Sequence, residues 1–151
     1  MILFYHLTRS TAEETAATLL SRAVERGMRV MVRGGDAAAL DRLDARLWLQ
    51  PEESFLPHGA QGGPHDAAQP VLIGQGAVTN GAQALMLIDG AEVSEDEARA
   101  LDRVWILFDG ADPQALTLAR AQWTRLTALG LAAQYWSEEG GRWEKKAAKN
   151  E

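Results

Sequence analysis

The sequence contains no cysteine. This absence excludes disulfide bonds and thiolate chemistry, and it removes the commonest soft ligand of metal sites. Lysine is almost absent as well, since every lysine lies within the last seven residues, at Lys145, Lys146 and Lys149. No apolar stretch approaches the roughly 20 residues that a membrane-spanning helix needs. No basic residue precedes the apolar run at the N-terminus, so we expect neither a membrane anchor nor a secretory signal, and we expect a cytoplasmic protein.

What is present is typical of one soluble domain. The chain has 151 residues, of which 46% are hydrophobic and 24% charged, and this length supports a single core. The formal net charge is -6, whereas binding to duplex DNA requires a concentrated basic face. We therefore expect one domain over residues 1–137, followed by a loose basic tail over residues 138–151.

Short apolar runs that favour strands alternate with helical patterns. Helix starts are indicated by capping residues, namely Thr11 with Glu14, Asp36, Ser94 with Glu97, and Asp112 before a proline. Helix ends are indicated by Gly27 and Gly130. The predicted strands are Ile2–Leu7, Arg29–Arg33, Val71–Ile73, Ala84–Ile88, Val104–Phe108 and Leu131–Trp136. Residues 59–70 are rich in glycine and proline and are predicted to form a loop. Alternation of this kind predicts an α/β protein with a mainly parallel sheet covered on both faces.

No set of side chains indicates a catalytic centre. The turn Gly34-Gly35-Asp36 follows a strand and opens a helix, which is where phosphate-binding loops occur, but the rest of the dinucleotide fingerprint and the Walker lysine are missing. His6, His58 and His65 lack the spacing of a metal site, so structural or solvated roles are favoured. We expect no cofactor and no metal. A small nucleotide-binding enzyme that uses the glycine turn remains the alternative to a binding protein.

The helix that begins after Asp112 carries the most suggestive pair of side chains. Its predicted core face consists of Ala115, Leu118, Ala119, Gln122, Leu126 and Leu129. At the edge of that face, Arg120 and Trp123 are three residues apart, so their side chains lie next to each other. An indole beside a guanidinium suits a ligand that has both an apolar group and a carboxylate. The competing interpretation is that Trp123 packs at the margin of the core while Arg120 extends over it.

Two further aromatic residues, Trp48 and Phe55, lie where a helix gives way to an irregular segment. Aromatic side chains in loops more often contact a partner than perform chemistry. The segment around them and several other motifs, in this order and spacing, resemble the chi subunit of bacterial DNA polymerase III. The motifs are Phe4-Tyr5-His6-Leu7, the stretch from Arg33 to Gly59, Pro70-Val71-Leu72, Asn80-Gly81-Ala82, Leu107-Phe108-Asp109-Gly110 with Asp112-Pro113, Ala119-Arg120 with Trp123, and Tyr135-Trp136.

The resemblance covers about residues 1–136 and implies a three-layer α/β/α, Rossmann-like domain that binds no nucleotide. It also implies a non-catalytic replication adaptor, an accessory subunit of a DNA-directed DNA polymerase complex. Chi-like proteins bind the acidic C-terminal tail of single-stranded-DNA-binding protein. Through another surface they bind psi, the subunit that joins the clamp loader. Contact with nucleic acid would then be mainly indirect, and the location would be at the replisome in the nucleoid.

The resemblance also assigns roles to individual residues. Arg120 matches the arginine that grips the terminal carboxylate of the tail, and Trp123 matches the aromatic beside it. Leu116 and Thr124 would border this pocket, at positions where some members carry lysine, and Arg125 would add long-range attraction. Trp48 and Phe55 match the surface that faces psi or an equivalent partner. Direct DNA binding through the lysine tail is a third hypothesis.

Overall fold

The computed structural model describes residues 1–49 and 56–151. The helices are α1 (Ala12–Glu25), α2 (Ala37–Trp48), α3 (Glu95–Ala100) and α4 (Pro113–Ala128). The strands are β1 (Ile2–Leu7), β2 (Val30–Gly34), β3 (Gly59–Ala60), β4 (Val71–Gly74), β5 (Ala84–Ile88), β6 (Arg103–Asp109), β7 (Ala133–Ser137) and β8 (Glu144–Lys149). A short 3₁₀ helix, Asp66–Ala68, precedes β4.

The strands form one sheet in the order β3-β4-β2-β5-β6-β1-β7-β8. Every neighbouring pair is parallel except β7 and β8, which run antiparallel. Buried strand residues alternate between two hydrophobic clusters, as the two-residue period of a strand requires. In β1, Leu3 and Leu7 contact one cluster and Ile2 and Phe4 contact the other.

Each cluster is covered by two helices. Helices α1 and α2 pack on one face of the sheet, and α3 and α4 pack on the other. The α/β/α prediction with a mainly parallel sheet is therefore confirmed. Capping explains the helix starts, since the side chains of Thr11, Asp36, Ser94 and Asp112 all accept hydrogen bonds from first-turn amides.

The C-terminal segment differs from the loose tail that the sequence predicts. Residues Glu144–Lys149 pair with β7 as an antiparallel edge strand. Trp143 anchors the start of this strand, because its ring meets Tyr5 edge to face with 5.1 Å between centroids. Asn150 donates two hydrogen bonds to the carbonyls of Thr127 and Leu131. Sequence reasoning missed the strand because alanine and lysine have low strand propensity, whereas pairing to an existing sheet edge supplies the hydrogen bonds.

Candidate functional site

Helix α4 is rotated relative to the orientation that its sequence predicts. Its buried residues are Ala119, Gln122, Leu126 and Thr127. Leu118 and Leu129, which were predicted to face the core, are 39% and 37% exposed, and that part of the prediction is wrong. Leu116, Trp123 and Tyr135 pack against the same core cluster, so the buried face of α4 is shifted toward Trp123.

Arg120 lies on the outer surface of α4. Its side chain makes no hydrogen bond or ion pair with any residue that the structure describes. Tyr135 on β7 lies close to it. Burial raises the pKa of the Tyr135 phenol, while the positive charge of Arg120 opposes that rise. The guanidinium group is therefore available to a ligand, at the edge of a cluster of aromatic rings.

Trp123 is partly buried within this aromatic cluster. Its ring meets Phe4 edge to face at 5.3 Å and Tyr135 at 6.0 Å. Behind Tyr135, the Nδ1 atom of His6 lies 2.7 Å from the phenol oxygen. Leu116 is partly buried against the same cluster. The ring contacts hold the indole in place, and it remains partly exposed three residues after Arg120, where neighbouring side chains of a helix lie on the same side. A fixed, partly exposed ring suits recognition of an apolar group.

Sequence reasoning missed Tyr135 and His6 as neighbours of this site. The signal that could have found them is strand pairing, because β1 and β7 are parallel neighbours with Phe4 opposite Tyr135. His6 stands two residues after Phe4 and so presents its ring on the same face of the sheet. The pairing of β1 with β7 depends on tertiary structure, and a single sequence does not reveal it.

The structure separates the remaining residues predicted for the peptide site. Thr124 is exposed and lies four residues after Arg120, on the same side of α4. Arg125 lies about 140° around the helix from Arg120, and its Nη2 atom donates to the carbonyl of Val93, 2.9 Å away. The structure therefore brings together Arg120, Trp123, Leu116 and Thr124, and it places Arg125 beside the loop before α3.

The predicted second surface lies on the opposite side of the molecule, at the end of α2. Trp48 is 59% exposed and its neighbour Leu49 is 76% exposed. The Trp48 ring lies 4.8 Å from the ring of His58. His58 is buried, with Nδ1 2.7 Å from the Leu56 carbonyl and Nε2 3.1 Å from the Asp44 carboxylate. The ring of Trp48 thus packs at the surface against a histidine that hydrogen bonds hold in place. Phe55 lies outside the described residues.

The glycine turn after β2 is a poor phosphate site. A Cβ on Gly35 would lie 1.7 Å from the Asp89 carbonyl oxygen, and the Gly35 amide already donates to Ile88. Asp36 uses its carboxylate to cap α2. Burial and the adjacent Asp36 carboxyl group raise the pKa of Asp89. Negative side chains and a crowded glycine both oppose the close approach of a phosphate.

The loop after β1, another position where α/β proteins bind phosphates, is filled from within the chain. The buried Oε1 atom of Glu138 accepts from the backbone amides of Thr8, Arg9 and Ser10 at 3.0, 2.7 and 2.6 Å. Oε2 accepts from the Ser10 hydroxyl.

Among the described residues, no group of three or more histidines and acidic side chains could hold a metal ion. The described helices include none that is long and apolar enough to cross a membrane.

The sequence also matches known proteins. Residues 1–134 match the family described as DNA polymerase III chi subunit, HolC. A curated protein of Pseudomonas aeruginosa, DNA polymerase III subunit chi, is 36% identical over 63 residues. That alignment covers 42% of this chain and 43% of the relative, so it spans less than half of the length of each protein.

Proposed function

Because the chain belongs to the DNA polymerase III chi subunit family, we propose that it is a non-catalytic adaptor of the replisome. In this proposal, one surface binds the acidic C-terminal tail of single-stranded-DNA-binding protein. A second surface links the chain to the clamp loader through psi or an equivalent partner. We expect this work to be done in the cytoplasm, at the nucleoid, with no cofactor.

The observation that carries the proposal is the exposed guanidinium of Arg120 beside the half-buried ring of Trp123. The tail of single-stranded-DNA-binding protein ends in proline and phenylalanine with a free carboxylate. A guanidinium group can pair with that carboxylate through two parallel hydrogen bonds. The phenyl ring of the ligand can then pack against Trp123 and Leu116, which the core holds in place.

The charge around this site predicts how binding depends on salt. Leu116 and Thr124 stand where some family members carry lysine, and Arg125 donates to Val93 on another side of α4. Arg120 is then the main cation of the pocket. We expect a modest salt dependence, because fewer charged groups contribute long-range attraction.

Support for the second surface comes from Trp48 and Leu49, which expose adjacent apolar side chains at the end of α2. Exposed tryptophan is among the residue types that contribute most to protein interfaces. We propose that Trp48, together with Phe55, receives an apolar segment of psi or of a protein that replaces it.

Titration of a labelled acidic peptide that ends in Pro-Phe tests the first surface. We expect micromolar binding, at roughly -7 to -8 kcal/mol, and a loss of about 1.5–3 kcal/mol in Arg120→Ala, because a charged hydrogen-bond donor is removed. Arg120→Lys should retain part of the affinity but lose the two-pronged pairing.

Arg26→Ala is the matched control, since it removes an exposed arginine at the end of α1 and should leave binding unchanged. Equal affinity of wild type and Arg120→Ala would reject this pocket. A peptide amidated at its C-terminus should bind more weakly to wild type but no more weakly to Arg120→Ala.

The rival functions have less physical support. Nucleotide binding at Gly34-Gly35-Asp36 is opposed by the carboxylates of Asp36 and Asp89 and by the contact of Gly35 with Asp89. A thermal-shift assay with nucleotides would reveal such an activity. Direct binding of DNA through the lysines would use the edge strand β8, and deletion of residues 142–151 followed by single-strand binding measurements tests it.

A further inference from the structure

A cavity of about 340 Å³ opens at the carboxyl ends of β5 and β6, beneath α4. In open parallel sheets, this end is where ligands bind, and the volume lies within the range of about 300–1,000 Å³ for ligand pockets. The cavity does not belong to the peptide site. Leu118 and Gln122 line it, and each is two residues from Arg120, about 160° around the helix.

Apolar and acidic side chains both line the cavity. Leu118 forms part of the wall and is partly exposed. The carboxylates of Asp89, Asp109 and Asp112 border the opening. One oxygen of Asp109 accepts from the Ala111 amide in the β6–α4 connection, and one oxygen of Asp112 accepts from the Gln114 amide in the first turn of α4. Each carboxylate therefore retains a second oxygen for a ligand.

The positive charge of Arg42 lowers the pKa of Asp89 and so offsets part of this negative charge, but four carboxylates line the cavity against this one guanidinium. Arg42 and Glu13 also line the cavity, and they pair with each other at 3.5 Å. Burial raises the pKa of Asp89, and the neighbouring Asp36 carboxyl group raises it further. A bound cation would relieve both effects, since it favours the ionised carboxylate.

Gln122 supplies an independent indication of a ligand. Its side chain is 5% exposed, and its Nε2 atom donates to the Ala91 carbonyl, 3.3 Å away. The Oε1 atom has no hydrogen-bond partner among the described residues, although it belongs to a residue that lines the cavity. A buried acceptor without a donor costs about 1–3 kcal/mol, and a ligand that brings an N–H group would satisfy it.

We propose that this cavity binds an arginine side chain presented by a partner protein. The methylene stem of arginine can lie against Leu118, while its planar guanidinium offers five donors to Gln122 Oε1 and the rim carboxylates. Anionic ligands are excluded by the charge of the rim. The ammonium group of lysine is a compact, more strongly hydrated charge, so it loses more hydration on entering the cavity.

The test is a titration of the ¹⁵N-labelled protein with acetyl-Gly-Arg-Gly amide, followed by NMR. The matched probe carries citrulline, which has nearly the same shape but no charge. We expect shifts of the Gln122 side-chain amide and of residues 87–91, and binding of the citrulline peptide at least about fivefold weaker. A third peptide carries lysine in place of arginine. If it bound with the same affinity as the arginine peptide, the proposal that the cavity recognises a guanidinium group would be contradicted.

Asp89→Asn with Asp112→Asn removes two rim charges and preserves the fold. Asparagine tolerates the positive φ of residue 89 and also caps helices as well as aspartate does. We expect about tenfold weaker binding. Gln122→Met, which removes the Oε1 acceptor together with the Nε2 donor to the Ala91 carbonyl, should also weaken binding.

Glu25→Gln with Asp102→Asn is the control for net charge, because both residues are exposed at the other end of the sheet. It should leave binding within about twofold of wild type, since exposed charges beyond a Debye length are screened. The proposal is overturned if wild type does not bind the arginine peptide, if the citrulline peptide binds equally, or if the control weakens binding as much as the rim variant.

Discussion

At the scale of single residues, Glu138 shows how one carboxylate can define a loop. Its side chain accepts hydrogen bonds from three consecutive backbone amides and one hydroxyl just after β1. Burial would raise the pKa of this carboxyl group, but the hydrogen bonds from Ser10, Arg9 and Thr8 lower it on balance. The stabilisation that Glu138 contributes is therefore fully present above the carboxyl group's usual pKa, and it is lost as pH falls through the lowered value.

Glu138→Ala should destabilise the fold by about 2–3 kcal/mol, because the amides of Thr8, Arg9 and Ser10 lose a charged acceptor. Thermal unfolding measures the effect. Phosphate or sulfate should raise the melting temperature of the variant more than that of wild type, since an anion can occupy the vacated position. Glu139→Ala, at the exposed neighbouring residue, is the control, and an equal response of both variants to phosphate would contradict the role assigned to Glu138.

At the scale of elements, the ion pair between Arg33 and Glu97 joins the end of β2 to α3. Arg33 Nη2 lies 2.6 Å from Glu97 Oε2, and Nη1 lies 3.0 Å from Oε1. Arg33 also donates to the carbonyls of Gly76 and Glu92. Glu97 in turn completes the capping box with Ser94. Helix α3 has only six residues, so its position depends on these contacts more than on its own helical propensity.

Stability should depend on pH through Glu97. The hydrogen bond from Arg33 is the main reason that its pKa is lowered from 4.5 to about 2. The contribution of the ionised Glu97 side chain to the free energy of unfolding is therefore complete above about pH 4.5 and disappears as pH falls toward about 2. Glu97→Gln should cost about 1–2 kcal/mol at pH 7, an amount reduced by solvent screening.

Urea unfolding at a series of pH values measures the difference in free energy of unfolding between wild type and Glu97→Gln. This difference should shrink below pH 4.5. Glu95→Gln is the matched control, because its pair with Arg99 is exposed and should contribute little. A difference between wild type and Glu97→Gln that stays constant down to pH 2 would contradict the assignment.

The edge strand β8 leads to a second prediction at this scale. Trp143→Ala should destabilise the protein by about 1–2 kcal/mol, because the indole packs against Tyr5 and the core. Deletion of residues 142–151 should lower the free energy of unfolding by more than Trp143→Ala does. It should also promote self-association, because it exposes the unpaired edge of β7. Denaturant unfolding and light scattering measure these effects. Leu49→Ala, at a largely exposed residue, is the control, and a monomeric, equally stable truncated protein would show that β8 contributes nothing.

Local chemistry predicted the elements well. The helix starts at Thr11, Asp36, Ser94 and Asp112 all have the predicted caps, because capping involves residues only two or three positions apart. The rotation of α4 and the strand β8 were not predicted. Both depend on contacts between distant parts of the chain, namely the packing of α4 in the cluster that includes Tyr135 and the pairing of β8 with β7.

At the scale of the whole molecule, the two proposed partner surfaces lie on opposite faces of the sheet. Trp48 belongs to α2 and Arg120 to α4, and these helices cover different hydrophobic clusters. An adaptor that bridges two proteins requires this separation, because neither partner then blocks the other. Whether Arg120 and Trp123 bind a peptide end stays a prediction, as does the role of Trp48 and Phe55.

The separation predicts independent sites. Trp48→Ala should leave the affinity for the acidic Pro-Phe peptide within about twofold of wild type, and the double variant with Arg120→Ala should show additive effects, because distant sites do not couple. Fluorescence anisotropy of the labelled peptide measures both. If Trp48→Ala weakened binding of the peptide about tenfold, the two surfaces would be coupled, and the proposal of two independent sites would be wrong.

The sequence by itself determined the alternation of strands and helices, the caps, the absence of thiol chemistry and the pairing of Arg120 with Trp123 along one helix. These properties depend on residues that are close in sequence. Only the tertiary structure decided that Glu138 fills the loop after β1, that Tyr135 and His6 lie close to Trp123, and that Gln122, with an unpaired side-chain oxygen, lines a cavity with acidic residues. Each of these depends on strand order, which is set by packing between segments up to 130 residues apart and which no local pattern encodes.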